Sequence, residues 1–282
     1  MEEKNYRALL SNIRNLTTIP SIMIEVSKML DNPLTSAFEL GKIICKDQGL
    51  AAKILAVANS PLYGIPRKVC TIDFAIVVLG FENIKDIILA LTLIDAFKGS
   101  DSKYWDRKSY WVHSFIVAGT CKKIAEELGY RNATEAFTAG LLHDVGISVF
   151  QRYFLEKFNK MCEAVDNGEG DYLTQEVKTF GFTHQEVAFY LFDKWNLPET
   201  LGQAILNHHT PARSEQKYLS SIIHLADYMT MKLKVGESLF DQHTVLDNEI
   251  IQILRLGSEE HLEHFIQKFE PTFRHQLELI KI

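Results

Sequence analysis

Apolar residues recur at helical spacing through almost the whole chain, and this periodicity restricts the fold more than any other feature of the sequence. The segment "YRALLSNIRNL" opens the series, and "SIMIEVSKML" follows Pro20 with Ile24, Met29 and Leu30 on one face. Ser36 and Glu39 stand at capping-box spacing and start a third helix at "SAFELGKIICK", because each side chain satisfies an orphan N–H of the other's backbone. "DQGLAAKILAVANS" reads as a fourth helix ended by the turn "NSPLYGIP", and "TIDFAIVVLGF" and "ENIKDIILALTLIDAF" as a fifth and sixth. The run "AIVVLG" alone fits a strand, but its continuation and Ala-rich flanks favour helix.

The second half repeats the pattern. "SYWVHSFIVAGTCKKIAEELG" closes at Gly129, and "ATEAFTAGLLHDVG" is expected to close at Gly146, since glycine ends helices without steric cost. "DNGEGDY" is a loop. Thr183 and Glu186 form a second capping box, which places His184 in the first turn of "HQEVAFYLFDKW". Pro198 starts a helix expected to reach His208 and His209 before Pro211 stops it. "KYLSSIIHLADYMTMKL", with His224 and Asp227, and further amphipathic helices complete the chain. The expectation is an all-α, multi-helix bundle. The polar stretch "KGSDSKYWDR" marks a boundary between lobes that pack together, giving residues 1–100, 101–235 and 236–282 as an N-terminal lobe, a helical domain and C-terminal helices.

At 282 residues and 46% hydrophobic, the chain buries one large core or two modest ones. Its net charge of −6 and lack of a dense Lys/Arg run exclude a phosphate-backbone footprint, so direct nucleic-acid binding is not expected. Cys45, Cys70, Cys121 and Cys162 lie far apart without a CxxC pair and are expected as buried small hydrophobes rather than disulfides. The start "MEEKNYRALL" is not a signal peptide and no apolar run reaches membrane-spanning length, which gives a cytoplasmic expectation with no membrane partner.

Against this apolar background the ionisable residues of "GLLHDVGISVF" stand out, because burying His143 and Asp144 is costly unless they are paired or bind metal. Other helices of the second half offer company in His113, His184, His208 with His209, and Asp227. Imidazoles with carboxylates suit Mn, Fe, Zn or Ni, and a helix bundle can bring such residues inward from separate helices. His143 and Asp144 diverge by roughly 100° on a helix, so either both straddle one ion or Asp144 bridges two. Taken singly, each histidine also fits a core residue bonded to a carbonyl, and His224, His243, His261, His264 and His275 keep that reading.

The stretch "FTAGLLHDVG" resembles the signature of HD-superfamily metal-dependent phosphohydrolases, and the order H…HD…D is matched by His113, His143–Asp144 and Asp227. His184 and His208–His209 resemble the second-metal ligands of the HD-GYP branch, whose members hydrolyse cyclic di-GMP. The resemblance implies that His113, His143, Asp144 and Asp227 hold one divalent transition metal ion, and that Asp144 bridges to a second held by His184, His208 and His209. "LTTIPSIMIEVSKML", "SAFELGKIICKDQGLAAKILAVANSPLYG", "KWNLPETLGQAILNHHTP" and "IIHLADYM" are similar in order to the HDOD domain, the HD-related output domain of bacterial signalling proteins, over roughly residues 10–235. That family implies an all-helical fold, here an N-terminal lobe packed on an HD-like domain, and a regulatory role as an output module or adaptor.

Departures from the enzyme pattern weigh on function. Ile147 stands where the HD-GYP branch carries Lys, Ser109 where some of its members carry Glu, and "TPARSEQKY" replaces the GYP loop. Arg107, Lys108 and Arg213 are the remaining candidates for phosphate contacts, though solvated surface charge describes each better. The expected function is a signal-transduction module with a metal-binding site, acting through signalling protein partners or ligand sensing. The alternative is a phosphohydrolase acting on a nucleotide or cyclic dinucleotide, with Asp144 as the central catalytic residue and the nucleotide as its ligand.

Overall fold

The computed structural model describes residues 3–13, 16, 21–30, 32–60, 63–96, 102–236, 238–241 and 245–280. Every element among them is helical: α1 (Glu3–Ser11), α2 (Ser21–Leu30), α3 (Ala37–Ile44), α4 (Gln48–Ala58), α5 (Ile72–Leu79), α6 (Phe81–Ala96), α7 (Arg107–Glu127) and α8 (Ala133–Leu142). They continue as α9 (Val145–Tyr153), α10 (Leu155–Asp166), α11 (Tyr172–Phe180), α12 (His184–Lys194), α13 (Glu199–Leu206), α14 (Lys217–Leu233), α15 (Glu249–Ile253) and α16 (Glu259–Ile280). The fold is all-α as expected, and "AIVVLG" is helical. None of these helices is long and apolar enough to cross a membrane.

The chain forms two compact units, Ile19–Ala96 with Glu270–Ile282, and Met1–Thr18 with Phe97–Phe269. In the smaller unit α2 to α6 pack around Leu40, Ile44, Ile54, Ile76, Ile84 and Ile88, all fully buried. The Ser36–Glu39 capping box forms as the spacing predicts, and Asp47 and Thr71 cap α4 and α5. Asn59 closes the loop after α4 by accepting from the Val69 N–H and donating to its carbonyl, both at 2.8 Å.

In the larger unit α7 lies along α8 and α14 and is buried from Tyr110 to Ala125 over nearly all of its faces, as befits the central member of a bundle. Gly140 permits the close approach of α8: a Cβ there meets Cys121 Sγ at 2.7 Å and Ala118 Cα at 3.0 Å. Arg7 of α1 pairs with Asp193 of α12 at 3.1 Å, and Leu10 is fully buried.

Local expectations are corrected in four places. The helix carrying the HD pair ends at Leu142, and Gly146 lies inside α9 rather than closing α8. α13 stops at Leu206, leaving His208 and His209 in the following turn. Cys121 and Cys162 are buried, but Cys45 and Cys70 are exposed, one capping α3 and the other in the loop before α5. His224 is a core histidine, whereas His261 and His264 are exposed on α16; His243 and the side chain of His275 lie outside the described residues.

Candidate metal centre

The centre begins at the joint between α8 and α9. His143 caps the end of α8, and Asp144 stands at the N-cap of α9 yet makes no side-chain capping bond. An aspartate there ordinarily stabilises its helix by about 1 kcal/mol; here the carboxylate is turned to histidines instead. Its Oδ2 lies 3.2 Å from His143 Nε2 and 3.8 Å from His113 Nε2. Its Oδ1 lies 3.4 Å from His184 Nε2 and 3.8 Å from His208 Nε2. One carboxylate therefore faces two separate sets of imidazoles. Asp227 of α14 completes the first set, with Oδ1 3.5 Å from His113 Nε2 and 3.8 Å from His143 Nε2. His209 belongs to the second: His184, His208 and His209 bring donor atoms within 4.8 Å of one another, as do His113, His143 and Asp144.

The proton positions of four histidines follow from their outer partners. The Nδ1 of His113 lies 2.9 Å from the Gly236 carbonyl, that of His143 2.8 Å from the Gly140 carbonyl, and that of His208 2.7 Å from the Ile205 carbonyl. A carbonyl only accepts, so each Nδ1 carries the proton and each neutral ring turns a lone pair inward at Nε2. His184 Nδ1 donates to Glu176, 2.9 and 3.0 Å from its two oxygens, and the Glu176 carboxylate also accepts the His184 backbone N–H at 2.8 Å. Glu176, 1% exposed, was not singled out in the sequence. Its position was legible: with Tyr172, Gln175 and Phe180 it forms the buried stripe of α11, so it is a carboxylate on an apolar face.

Burial holds His113, His208 and His209 below the ordinary histidine range, reinforced by His143 at His113, His209 at His208 and His184 at His209. Burial by itself raises Asp144, but His143, His184 and His113 together pull it well below the usual carboxylate range. At His184 burial lowers the value while Glu176, followed by Asp144, reverses the sign.

These residues fit a metal. His113 Nε2 and His143 Nε2 lie 3.5 Å apart, and two inward lone pairs at that distance repel unless a proton or cation lies between them. The Nε2 atoms of His184 and His208 and the Oδ2 of Asp144 are buried without a hydrogen-bond partner among the described residues, a costly state for polar groups. Donors held ~2.0–2.2 Å from one ion stand roughly 3.0–3.5 Å apart in tetrahedral or octahedral geometry, and the ligand–ligand distances of 3.2–3.8 Å approach that spacing.

Two further residues support the arrangement. A Cβ on Gly146 meets the His184 carbonyl oxygen at 2.0 Å, so only glycine lets α9 press against the turn that carries His184. His224 uses both ring nitrogens, Nδ1 donating to the His208 carbonyl and Nε2 accepting the Asp247 N–H, each at 2.8 Å. It anchors the His208–His209 turn and keeps no lone pair for a metal. Arg107, Lys108 and Arg213 are exposed.

Residues 16–211 match the HDOD domain family model. The chain belongs to the HDOD family. An HDOD domain protein of unknown function from Geobacter sulfurreducens has a crystal structure that superposes on this HDOD protein with a TM-score of 0.79 at 26% identity, covering 99% of this chain and 97% of that one. A Shewanella amazonensis SB2B protein, provisionally named a phosphohydrolase, shares the fold with a TM-score of 0.71 at 22% identity over 97% and 98% of the two chains. A Marinobacter aquaeolei VT8 protein, provisionally named a signal transduction protein, gives 0.72 at 20% identity over 100% of this chain and 65% of that one. An uncharacterised Treponema pallidum (strain Nichols) protein is 23% identical over 94% of the HDOD chain, which spans 51% of that relative's length. Asp227 lies beyond the matched residues 16–211, yet its carboxylate joins the centre built within them.

Proposed function

We propose that this HDOD protein is a signal-transduction module whose His/Asp centre binds one or two divalent transition metal ions, Fe, Mn, Zn or Ni, and that it acts on a signalling partner or senses a small ligand. The observation that carries the reading is Asp144, a helix N-cap that leaves its helix uncapped and turns one oxygen to each imidazole set. His113, His143, Asp227 and Asp144 Oδ2 would hold the first ion; His184, His208, His209 and Asp144 Oδ1 would hold the second. Glu176 and the backbone carbonyls keep the donor nitrogens aimed inward. The centre draws its donors from α7, α12, α14, the α8–α9 joint and the turn after α13, so bound metal ties these parts together and adds its binding free energy to the fold. That makes the stability of this unit a readable output.

A second reading is favoured by the shared carboxylate: a phosphohydrolase acting on a nucleotide or cyclic dinucleotide, the activity class in the provisional name of the Shewanella protein. A bound metal pair supplies Lewis-acid charge and an ionised water at neutral pH; Asp144 would hold both ions in register. Ile147, buried on the first turn of α9, supplies no charge for a phosphate, and for that reason the regulatory reading stands first.

Elemental analysis of protein purified without a histidine tag tests both. Wild type is expected to carry stoichiometric transition metal, and Asp144→Ala is expected to lose it and to melt at lower temperature. Metal-free wild type that is well folded, or equal metal in the variant, overturns the metal reading. Hydrolysis of a phosphodiester by the loaded wild type but not by Asp144→Ala moves the second reading to first place.

A further inference from the structure

The histidine that anchors the second half-site has a far end. His224 is 1% exposed on α14, and its ring joins two backbone groups from distant parts of the chain. Nδ1–H donates to the His208 carbonyl, and the Nε2 lone pair accepts the Asp247 N–H. A neutral imidazole is a donor at one nitrogen and an acceptor at the other. With the proton on Nε2 instead, a donor would face the Asp247 N–H and a lone pair would face the His208 carbonyl. A change of tautomer, or a turn of the ring, that frees one backbone group therefore frees the other.

The segment at that far end depends on such anchors. α15 spans five residues, Glu249–Ile253, too few for a helix to persist without tertiary support. Its N-cap Asn248 makes no side-chain capping bond. Asp247 opens the helix instead, its Oδ1 accepting the Glu249 N–H at 3.0 Å and its carbonyl the Ile250 N–H at 3.1 Å. Ile250 is fully buried, and α15 packs against α14 and the short 3-10 turn Pro211–Arg213. That turn begins two residues after His209, so α15 meets the His208–His209 stretch twice, through the ring of His224 and through Pro211–Arg213.

At the centre the same stretch is held from one side alone. His208 is fixed through its carbonyl and its Nδ1, while its Nε2 has no hydrogen-bond partner among the described residues. An ion held by His208 and His209 adds a restraint on the opposite side of the turn. A ligand shifts a conformational equilibrium only through its differential interaction with the two arrangements, and here it grips two consecutive residues of a turn whose carbonyl His224 holds. Asn248, Glu249 and Gln252 are exposed, so a change in this segment reaches the molecular surface.

Resting on the metal reading above, we infer that filling the second half-site stabilises the segment Val245–Ile253 through the link from His208 to His224 to Asp247, and that this segment is the metal-dependent surface of the regulatory module. His224 is a positioning residue in this link and holds no ion itself.

Backbone hydrogen exchange of full-length protein, metal-free and loaded with Zn²⁺, tests it without recourse to turnover. Zn²⁺ is expected to slow exchange of the Asp247 amide in wild type about tenfold, equivalent to about 1.4 kcal/mol. His224→Asn keeps a donor near the position of Nδ1 but ends short of the Asp247 N–H; it is expected to bind Zn²⁺ and lose the response at Asp247. His224→Gln places an acceptor near the position of Nε2 without the donor to His208, and is expected to protect the Asp247 amide equally with and without Zn²⁺. Zn²⁺-loaded wild type whose Asp247 exchange is unchanged overturns the link. Equal slowing in wild type and His224→Asn overturns it as well, because a general stabilisation of the unit by metal moves both. Protein that binds no Zn²⁺ overturns the metal reading and this inference together.

Discussion

The two halves of the centre share Asp144 and differ in almost everything else. His113, His143 and Asp227 are 0–1% exposed, and the two histidines are fixed by the carbonyls of Gly236 and Gly140. Their environment is backbone and packed helix. The second half hangs on a turn, borders a cavity, and is oriented partly by other side chains, Glu176 at His184 and His224 at His208. An enclosed site with protein donors on all sides suits a structural ion, whereas an open position is what a ligand-binding or catalytic ion requires. The contrast teaches that one family of side chains yields two roles according to what holds the far side of each ring.

The comparison can be broken most sharply from its first half. Asp227→Asn is expected to remove one ion and leave the second, lowering metal content by about half and weakening the first half-site at least ~100-fold, since a charged ligand is lost outright; calorimetric titration of wild type and the variant with Zn²⁺ checks it. Loss of both ions would show that the halves fill only together. Glu176→Gln acts on the other half alone. An amide cannot supply the negative charge that anchors the Nδ1–H of His184, and second half-site affinity is expected to fall ~10–100-fold with the first unchanged. The smallest effect is expected at His224. Replacement by Ala leaves the His208 carbonyl without its donor, costing ~1–3 kcal/mol of stability and loosening the second half-site by about tenfold. His224→Asn, which retains a donor near the position of Nδ1, is expected to recover part of the metal affinity; a variant that regains stability without metal affinity would limit His224 to packing.

Much of the architecture was legible because it is local. Capping boxes at Ser36–Glu39 and Thr183–Glu186 formed as their spacing requires, each within one helical turn. The resemblance of the His and Asp order to the HD signature pointed to the side chains that the fold brings together. Glu176 was legible as well, as the charged member of a buried stripe. The limits of the HD helix were not. Gly146 reads as a terminator in the sequence, and its use inside α9 follows from contact with His184, a residue on another helix.

Sequence alone determined that the chain is helical and where most helices start, because periodicity and capping act over a few residues. Tertiary structure decided which histidine does what. His208 and His224 are the same residue type in equally buried surroundings, yet one turns Nε2 to the centre and the other spends both nitrogens on backbone groups 16 and 23 residues away. It also gave Asp144 its divided allegiance, one oxygen to each set. The physical reason is that a ring nitrogen or carboxylate oxygen takes its role from whichever partner reaches it, and these partners arrive from distant parts of the chain.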